Sequence, residues 1–132
     1  MAKEIKLTYY GRVLSKKNSK QIIRKRSGAP VIVSNPAAKA NENDMVDQFS
    51  IQTIRQKKPV KRCKISVEVY QPTAQRRDLD NQLTAILDAL VKAEVIADDS
   101  FKCVIEEKVR FGGIDKNEPR AIVIITEVKD DE

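Results

Sequence analysis

The chain of 132 residues contains no histidine, no tryptophan, two cysteines and four glycines. Without histidine, the Ser-His-Asp and Cys-His arrangements of nucleophilic catalysis are excluded. The two cysteines stand 40 positions apart without a CxxC pair, so we expect no zinc site. The four glycines form no glycine-rich phosphate loop. Carboxylates and basic side chains are therefore the groups that remain for chemistry.

Long apolar runs are also missing, and charged residues (Lys3, Glu4 and Lys6) interrupt the first ten positions. We therefore expect neither a membrane partner nor a secretory signal. Cys63 and Cys103 both lie in apolar, strand-like runs, and we interpret them as reduced core residues. Reduced cysteines are typical of a cytoplasmic protein, and the cytoplasm is the location that we expect.

The charge balance is basic, with 25 lysines and arginines against 19 acidic residues and a net charge of +6. Residues 1–30 carry nine basic residues and one acidic residue, and residues 55–64 carry six basic residues and no acidic one. Such a balance favours a polyanionic partner, although ribosomal and membrane-surface proteins share it. The length suits one core, so we treat residues 1–132 as a single domain with a frayed tail at 129–132.

Residue periodicity predicts alternating strands and helices. Apolar residues at helical spacing predict one helix from position 34 or 35 to about 55 and a second helix from position 81. We expect the second and third strands to form a hairpin and the last two strands to pair antiparallel through residues 112–119. The predicted fold is an α/β (α+β) domain in which a mixed, mostly antiparallel sheet packs with two helices. The predicted strands cover residues 4–13, 21–26, 31–34, 64–71, 101–111 and 121–128.

Acidic residues surround the second predicted helix. Asp78 and Asp80 precede it in the sequence Arg-Arg-Asp-Leu-Asp-Asn, Asp88 borders its apolar stripe, and Asp98 and Asp99 follow it. In an extended segment the first two side chains point the same way, and the last pair approaches them if the chain folds back. Carboxylate oxygens are the ligands that Mg²⁺ prefers, usually one or two of them together with substrate phosphates.

A structural interpretation of the same residues stays open. Aspartate before a helix commonly caps free backbone N–H groups, and Arg76, Arg77 and Lys92 would then act as ion-pair partners of the carboxylates. In that case the protein is a non-catalytic, basic nucleic-acid-binding module.

Residues 76–99 resemble the RusA family of Holliday-junction resolvases. The matching segments are Arg-Asp-Leu-Asp-Asn at 77–81, Ala-Ile-Leu-Asp-Ala-Leu at 85–90 and Ile-Ala-Asp-Asp at 96–99, with spacing that needs no gaps. The resemblance implies that Asp78, Asp80 and Asp99 are catalytic carboxylates that bind Mg²⁺, and we add Asp88 as a supporting metal ligand.

One position departs from the family pattern. Some members carry a functional lysine four residues after the second motif aspartate, where this chain has Thr84. Lys92 or another basic residue would have to replace that lysine.

The resemblance implies a magnesium-dependent endodeoxyribonuclease that resolves four-way (Holliday) DNA junctions by paired, symmetric nicks in recombination and repair. Mn²⁺ is the expected substitute metal, and no small organic cofactor is expected. The family is dimeric, so the expected partners are branched DNA and a second copy of the chain. Besides the non-catalytic module, the remaining alternative is a related nuclease that acts on flaps or other branches.

Basic residues near the amino terminus and beside the acidic motif are candidates for DNA contact. Those near the amino terminus adjoin or lie on the predicted hairpin. Those beside the motif carry guanidinium forks that match phosphate oxygens. The candidates are Lys16, Lys17, Lys20, Arg24, Lys25, Arg26, Arg76 and Arg77.

Replacing Arg24, Lys25 and Arg26 together by glutamine should weaken junction binding about equally across DNA sequences, because phosphate contacts carry no sequence information. The slope of log K against log salt concentration should become shallower by about one unit for each phosphate that the variant no longer binds. Fluorescence anisotropy at several salt concentrations measures both quantities. Unchanged affinity and slope would remove the hairpin from the DNA surface.

Overall fold

The computed structural model describes residues 3–15, 20–24, 28–34 and 36–129, with residues 20–24 and 30–34 described by their backbone alone. Residues 130–132 of the predicted tail lie outside this part. The elements within it are, in chain order, β1 (Glu4–Tyr10), β2 (Lys20–Arg24), β3 (Pro30–Ser34), α1 (Pro36–Gln52), β4 (Cys63–Gln71), α2 (Leu79–Lys92), β5 (Val104–Ile114) and β6 (Arg120–Glu127).

Four of these strands form one sheet in the order β1-β6-β4-β5, and β2 and β3 form a separate antiparallel hairpin. β6 runs antiparallel to both of its neighbours, whereas β5 runs parallel to β4. The helices contact each other, α1 also contacts β1, and α2 also contacts β5. The predicted α+β class is therefore confirmed, with a mixed, mostly antiparallel sheet and two helices, and so is the predicted hairpin.

The last two strands do not pair with each other, so that part of the prediction is wrong. β6 lies between β1 and β4, and β5 forms an edge of the sheet. β6 is hydrogen-bonded on both sides and buries alternate residues (Ala121, Val123 and Ile125) on the face that packs in the core. The middle of β5 carries exposed charges such as Glu106 and Lys108, which are typical of an edge strand.

The helix α2 is amphipathic and buries the apolar stripe that its sequence predicts. Its buried residues include Leu83, Ile86 and Leu90, which pack in the same core as Phe49 of α1 and Ile65 of β4. Parallel strands need a crossover connection, and α2 supplies it between β4 and β5. No helix in the described ranges has the length and apolarity needed to cross a bilayer.

The carboxyl end of α2 is closed by backbone hydrogen bonds. The N–H of Val95 donates to the Leu90 carbonyl at 2.9 Å, and Glu94 takes a φ of 60° between the helix and that residue. A residue with positive φ just after a helix lets the chain reverse its direction, and glycine is the residue that most often fills this position. The chain then turns towards the start of β4, where Val60 forms a parallel bridge with Ile96.

A buried glutamine pair fixes the start of α2 against β4. The side-chain amide of Gln71 donates to the Gln82 Oε1 at 2.7 Å, and the Gln82 amide donates back to the Gln71 Oε1 at 3.2 Å. The Gln82 Nε2 also donates to the Val13 carbonyl at 3.0 Å. One side chain therefore joins α2, the last residue of β4 and the segment after β1.

Replacing Gln82 by leucine should lower the free energy of unfolding by about 1–3 kcal/mol, because the Gln71 amide and the Val13 carbonyl would then be buried without partners. In the double variant Gln71→Leu/Gln82→Leu, the free energy of unfolding should fall by less than the sum of the two single effects. The double variant no longer contains the Gln71 amide that Gln82→Leu leaves without a partner. Urea denaturation measures all three variants. Thr84→Leu, at an exposed position of the same helix, is the matched control. A Gln82→Leu variant as stable as the wild type would contradict this role.

Candidate active site at the start of the second helix

The acidic motif lies where the chain passes from β4 into α2. The structure begins α2 at Leu79, two residues earlier than predicted, so Asp80 lies in the first helical turn. Asp78 is the residue before the helix and has extended backbone angles (φ −82°, ψ 121°). The motif is therefore not extended throughout, and the alternation expected of Asp78 and Asp80 does not apply. Both side chains are exposed.

Asp78 occupies the N-cap position without acting as a cap. Its side chain makes no hydrogen bond to the free backbone N–H groups of α2. Its Oδ2 accepts a hydrogen bond from the Asn81 Nδ2 at 3.3 Å instead. The capping interpretation therefore fails for Asp78, although its charge and that of Asp80 still suit the positive end of the helix dipole.

A cleft of about 530 Å³ opens beside Asp78, between the starts of α1 and α2. Three arginines and the motif residues Asp78 and Asn81 face it together with buried Gln82. The described residues that line it are Arg12, Leu14, Ser15, Ala37, Ala38, Arg76, Arg77, Asp78, Asn81 and Gln82. Such a cleft offers cations and the amino ends of two helices to a phosphate, with a carboxylate at its edge.

Asn41 of α1 positions the segment that carries Arg12. Its amide nitrogen donates to the Arg12 carbonyl at 2.6 Å, and its Oδ1 accepts from the Leu14 N–H at 3.1 Å. The same amide donates to the Tyr9 hydroxyl at 3.0 Å. Burial and the nearby Asp44 carboxylate raise the pKa of Tyr9 to about 12, so this hydroxyl stays protonated at neutral pH. The backbone beside the cleft is thus held by α1 on one side and by Gln82 on the other.

The arginines of the cleft do not neutralise the motif carboxylates. In the part of the chain that the structure describes, no lysine or arginine nitrogen lies within 4.0 Å of a carboxylate oxygen of Asp78 or Asp80. Arg77 donates instead to the Gln75 side chain at 3.3 Å. The ion-pair interpretation of Arg76 and Arg77 therefore finds no support among these residues.

Asp98 and Asp99 lie beyond the opposite end of α2. The Ala97 N–H donates to the Val60 carbonyl at 2.9 Å, which places this segment beside the start of β4. The motif follows the end of β4, and nine residues of strand span about 26 Å. The Asp98 carboxyl accepts hydrogen bonds from the Ser100 hydroxyl and from the backbone, and these bonds lower its pKa. Asp98 is therefore engaged by residues next to it in the chain. Asp99 is exposed.

One chain does not bring the three motif aspartates together. The ranges that the structure describes contain no group of three or more aspartate, glutamate, cysteine or histidine side chains that could hold a metal ion. Asp78, Asp80 and Asp99 all lie within those ranges. Asp88 is half-buried on α2, about 12 Å along the helix axis from Asp80.

The position of the family lysine is not filled by the residues that the sequence suggested. The Thr84 hydroxyl donates to the Asp80 carbonyl at 3.0 Å, within the helix. Lys92 is in the last turn of α2 and forms an ion pair with Glu42, whose side chain is only 8% exposed. Lys92 is therefore engaged at the end of α2 opposite the motif.

The other candidate DNA contacts fall largely outside the described residues. Lys16, Lys17, Lys25 and Arg26 belong to the residues that the structure does not describe, and Lys20 and Arg24 are described by the backbone of β2 alone. Their role therefore stays a prediction.

Sequence reasoning gave no role to several residues of the cleft, among them Arg12 and Asn81. Arg12 is far from the motif in sequence, and no local pattern indicates that the chain after β1 returns to the start of α2. Asn81 belongs to the acidic motif, but its sequence position alone gives it no role. Its contact with Asp78 follows from their spacing of three residues at the start of a helix.

Comparison with known families decides among the interpretations. A family model described as endodeoxyribonuclease RusA matches residues 11–126, which is most of the chain. The chain belongs to the RusA endodeoxyribonuclease family. RusA membership indicates a DNA-binding nuclease of the Holliday-junction resolvase class that acts in recombination. A comparison with curated proteins gave no match.

The absence of a cap at Asp78 has a measurable consequence. Asp78→Ala should lower the free energy of unfolding by less than about 0.5 kcal/mol, whereas loss of a working N-cap typically costs about 1 kcal/mol. Denaturation at about 1 M salt isolates the hydrogen-bond effect, because the Debye length there is about 3 Å and the helix-dipole effect is screened. A loss of about 1 kcal/mol or more under these conditions would restore the capping interpretation.

Proposed function

We propose that the protein is a magnesium-dependent resolvase of four-way DNA junctions whose active site is completed by a second copy of the chain. Asp78 and Asp80 of one subunit would act with Asp99 of the partner subunit. The single observation that carries this proposal is the placement of these aspartates at opposite ends of α2 in one chain.

The separation is too large for local adjustment. α2 has 14 residues and is about 21 Å long, and its buried face packs in the core. Unwinding the helix to join its two ends would expose that face. A twofold dimer avoids this, because the end of α2 in one subunit can approach the start of α2 in the other, and the reverse contact follows by symmetry.

The donor set fits magnesium in its chemistry. All three side chains offer carboxylate oxygens and are exposed, and neither Asp78 nor Asp80 has an ion-pair partner in the described ranges. Mg²⁺ is commonly held by one or two carboxylates together with substrate phosphate, so DNA itself would complete the site. The bound ion would supply electrostatic stabilisation of the charge that develops on the phosphate during hydrolysis, with Mn²⁺ as a substitute. Asp88 would take at most a supporting part from its half-buried position.

The arginines of the cleft have a separate role. Arg12, Arg76 and Arg77 surround the motif without neutralising it, so they can bind phosphates on either side of the bond to be cut. They would hold the DNA strand against the carboxylates, which alone would repel it.

Paired sites explain why resolution requires a dimer. A four-way junction is resolved by two matched nicks, and a twofold dimer presents two identical sites to two strands. We place this activity in the cytoplasm, in keeping with the two buried, unpaired thiols of Cys63 and Cys103.

Mixing two inactive variants tests the shared site. Asp78→Asn and Asp99→Asn should each bind junctions but cleave them at least about a hundredfold more slowly than the wild type. After subunit exchange, a mixed dimer has one site in which Asp78 and Asp80 of one chain meet an intact Asp99 of the other. The mixture should therefore regain nicking on one strand per junction, measured on a labelled four-way junction in magnesium.

The matched control is a mixture of Asp78→Asn with Asp80→Asn, in which both sites of the mixed dimer stay defective. No recovery in the Asp78→Asn and Asp99→Asn mixture, despite demonstrated subunit exchange, would place all three residues within one subunit or remove one from the site. A wild-type protein that binds junctions without nicking them in magnesium or manganese would contradict the resolvase function itself.

A further inference from the structure

A second basic surface lies at the end of the sheet opposite the motif. A groove of about 570 Å³ opens where β1 begins, β6 ends and the chain enters β4. We name it the basal groove, and the described residues that line it include six basic residues and one acidic residue, Glu127. The basic residues are Lys3, Arg55, Lys57, Lys58, Lys61 and Arg62.

The backbone that carries these charges is fixed before any ligand binds. The Val60 N–H donates to the Val95 carbonyl at 2.9 Å, and the Gln56 Nε2 donates to the carbonyls of Lys58 and Val95 at 2.8 and 2.9 Å. The Val128 N–H donates to the Arg62 carbonyl at 3.0 Å and closes the other side. Little backbone ordering would therefore accompany binding, which lowers its entropic cost.

The lysines of the groove are exposed, and the described residues provide no carboxylate that neutralises them. Within the described ranges, no carboxylate oxygen lies within 4.0 Å of the Nζ atom of Lys57, Lys58 or Lys61. Like charges held close together repel one another, so this surface is less stable alone than when an anion covers it.

We propose that the basal groove binds the sugar-phosphate backbone of a duplex arm. The inference rests on the proposed function only in taking DNA as the polyanion. The groove lies about 26 Å from the motif of the same chain, the length of β4, and so is a separate contact and not part of the cleft. The basal groove would raise the affinity of the protein for DNA and set the direction of the bound arm, without reading the sequence of that arm.

The lining favours nucleic acid over an acidic protein partner. Protein interfaces usually centre on aromatic or large apolar anchors, with charges depleted in the middle. Among the twelve described residues that line the basal groove none is aromatic, and half are basic. A regular series of phosphates matches such a surface better than a folded protein does.

The test compares Lys58→Gln/Lys61→Gln with the control Lys108→Gln/Lys116→Gln, which removes the same charge from exposed positions outside the groove. Binding to a four-way junction and to a linear duplex is measured by anisotropy with a chelator present, so the result does not depend on cleavage. The groove variant should bind both DNAs at least about tenfold more weakly at about 0.1 M salt, with a salt slope shallower by about two units. The control should change affinity less than about threefold.

Further readouts separate binding from folding and from catalysis. The melting temperature of the groove variant at low salt should not fall, because repulsion between lysines is relieved. Where the wild type cleaves, the variant should raise KM and leave kcat unchanged. Equal losses for the groove variant and the control, or no loss for the groove variant, would overturn the inference while leaving the resolvase function standing. A loss confined to the junction would also overturn it, since the groove would then recognise the branch and not the backbone of an arm.

Discussion

The parallel pairing of β4 with β5 is the constraint on which the position of every motif carboxylate depends. Parallel neighbours cannot be joined by a tight turn, so the chain must travel back along the sheet before β5 begins. α2 makes that return, and its buried face ties it to the core. Residues that precede and follow α2 are therefore held at opposite ends of the sheet. No change of side-chain rotamer alters that.

Charge is distributed to match this geometry. The end of the sheet that carries Asp78 and Asp80 also presents the arginines of the cleft, and the other end presents Asp99 and the basal groove. Each end thus combines carboxylates with a basic surface able to hold phosphates. A dimer that brings the motif end of one subunit to the Asp99 end of the other would place two basic surfaces side by side, with the carboxylates between them. A polyanion could then bind along the basic surfaces and be hydrolysed at the carboxylates.

Local patterns predicted the elements well and their pairing poorly. The alternation of β4 and the apolar stripe of α2 are signals contained within each segment, and both elements appear close to their predicted bounds. The order of strands depends on contacts between distant residues. β5 and β6 are adjacent in sequence, which favoured pairing them, yet the charges of Glu106 and Lys108 already mark β5 as an edge strand. Arg12 was not predicted for the same reason, because its place in the cleft depends on contacts between distant residues. These are the hydrogen bonds that Asn41 and Gln82 donate to its segment.

The length of α2 has a consequence for how this chain can vary. Inserting one residue into the helix would advance everything after it by about 1.5 Å and rotate it by about 100° around the helix axis. Asp99 and the start of β5 would then both leave their places relative to the start of β4, even if every apolar contact could be rebuilt. Exposed positions such as Thr84 can accept other side chains, whereas an insertion or deletion within α2 cannot be absorbed. Chains built on this plan are therefore expected to differ in the composition of this helix but to keep its number of residues.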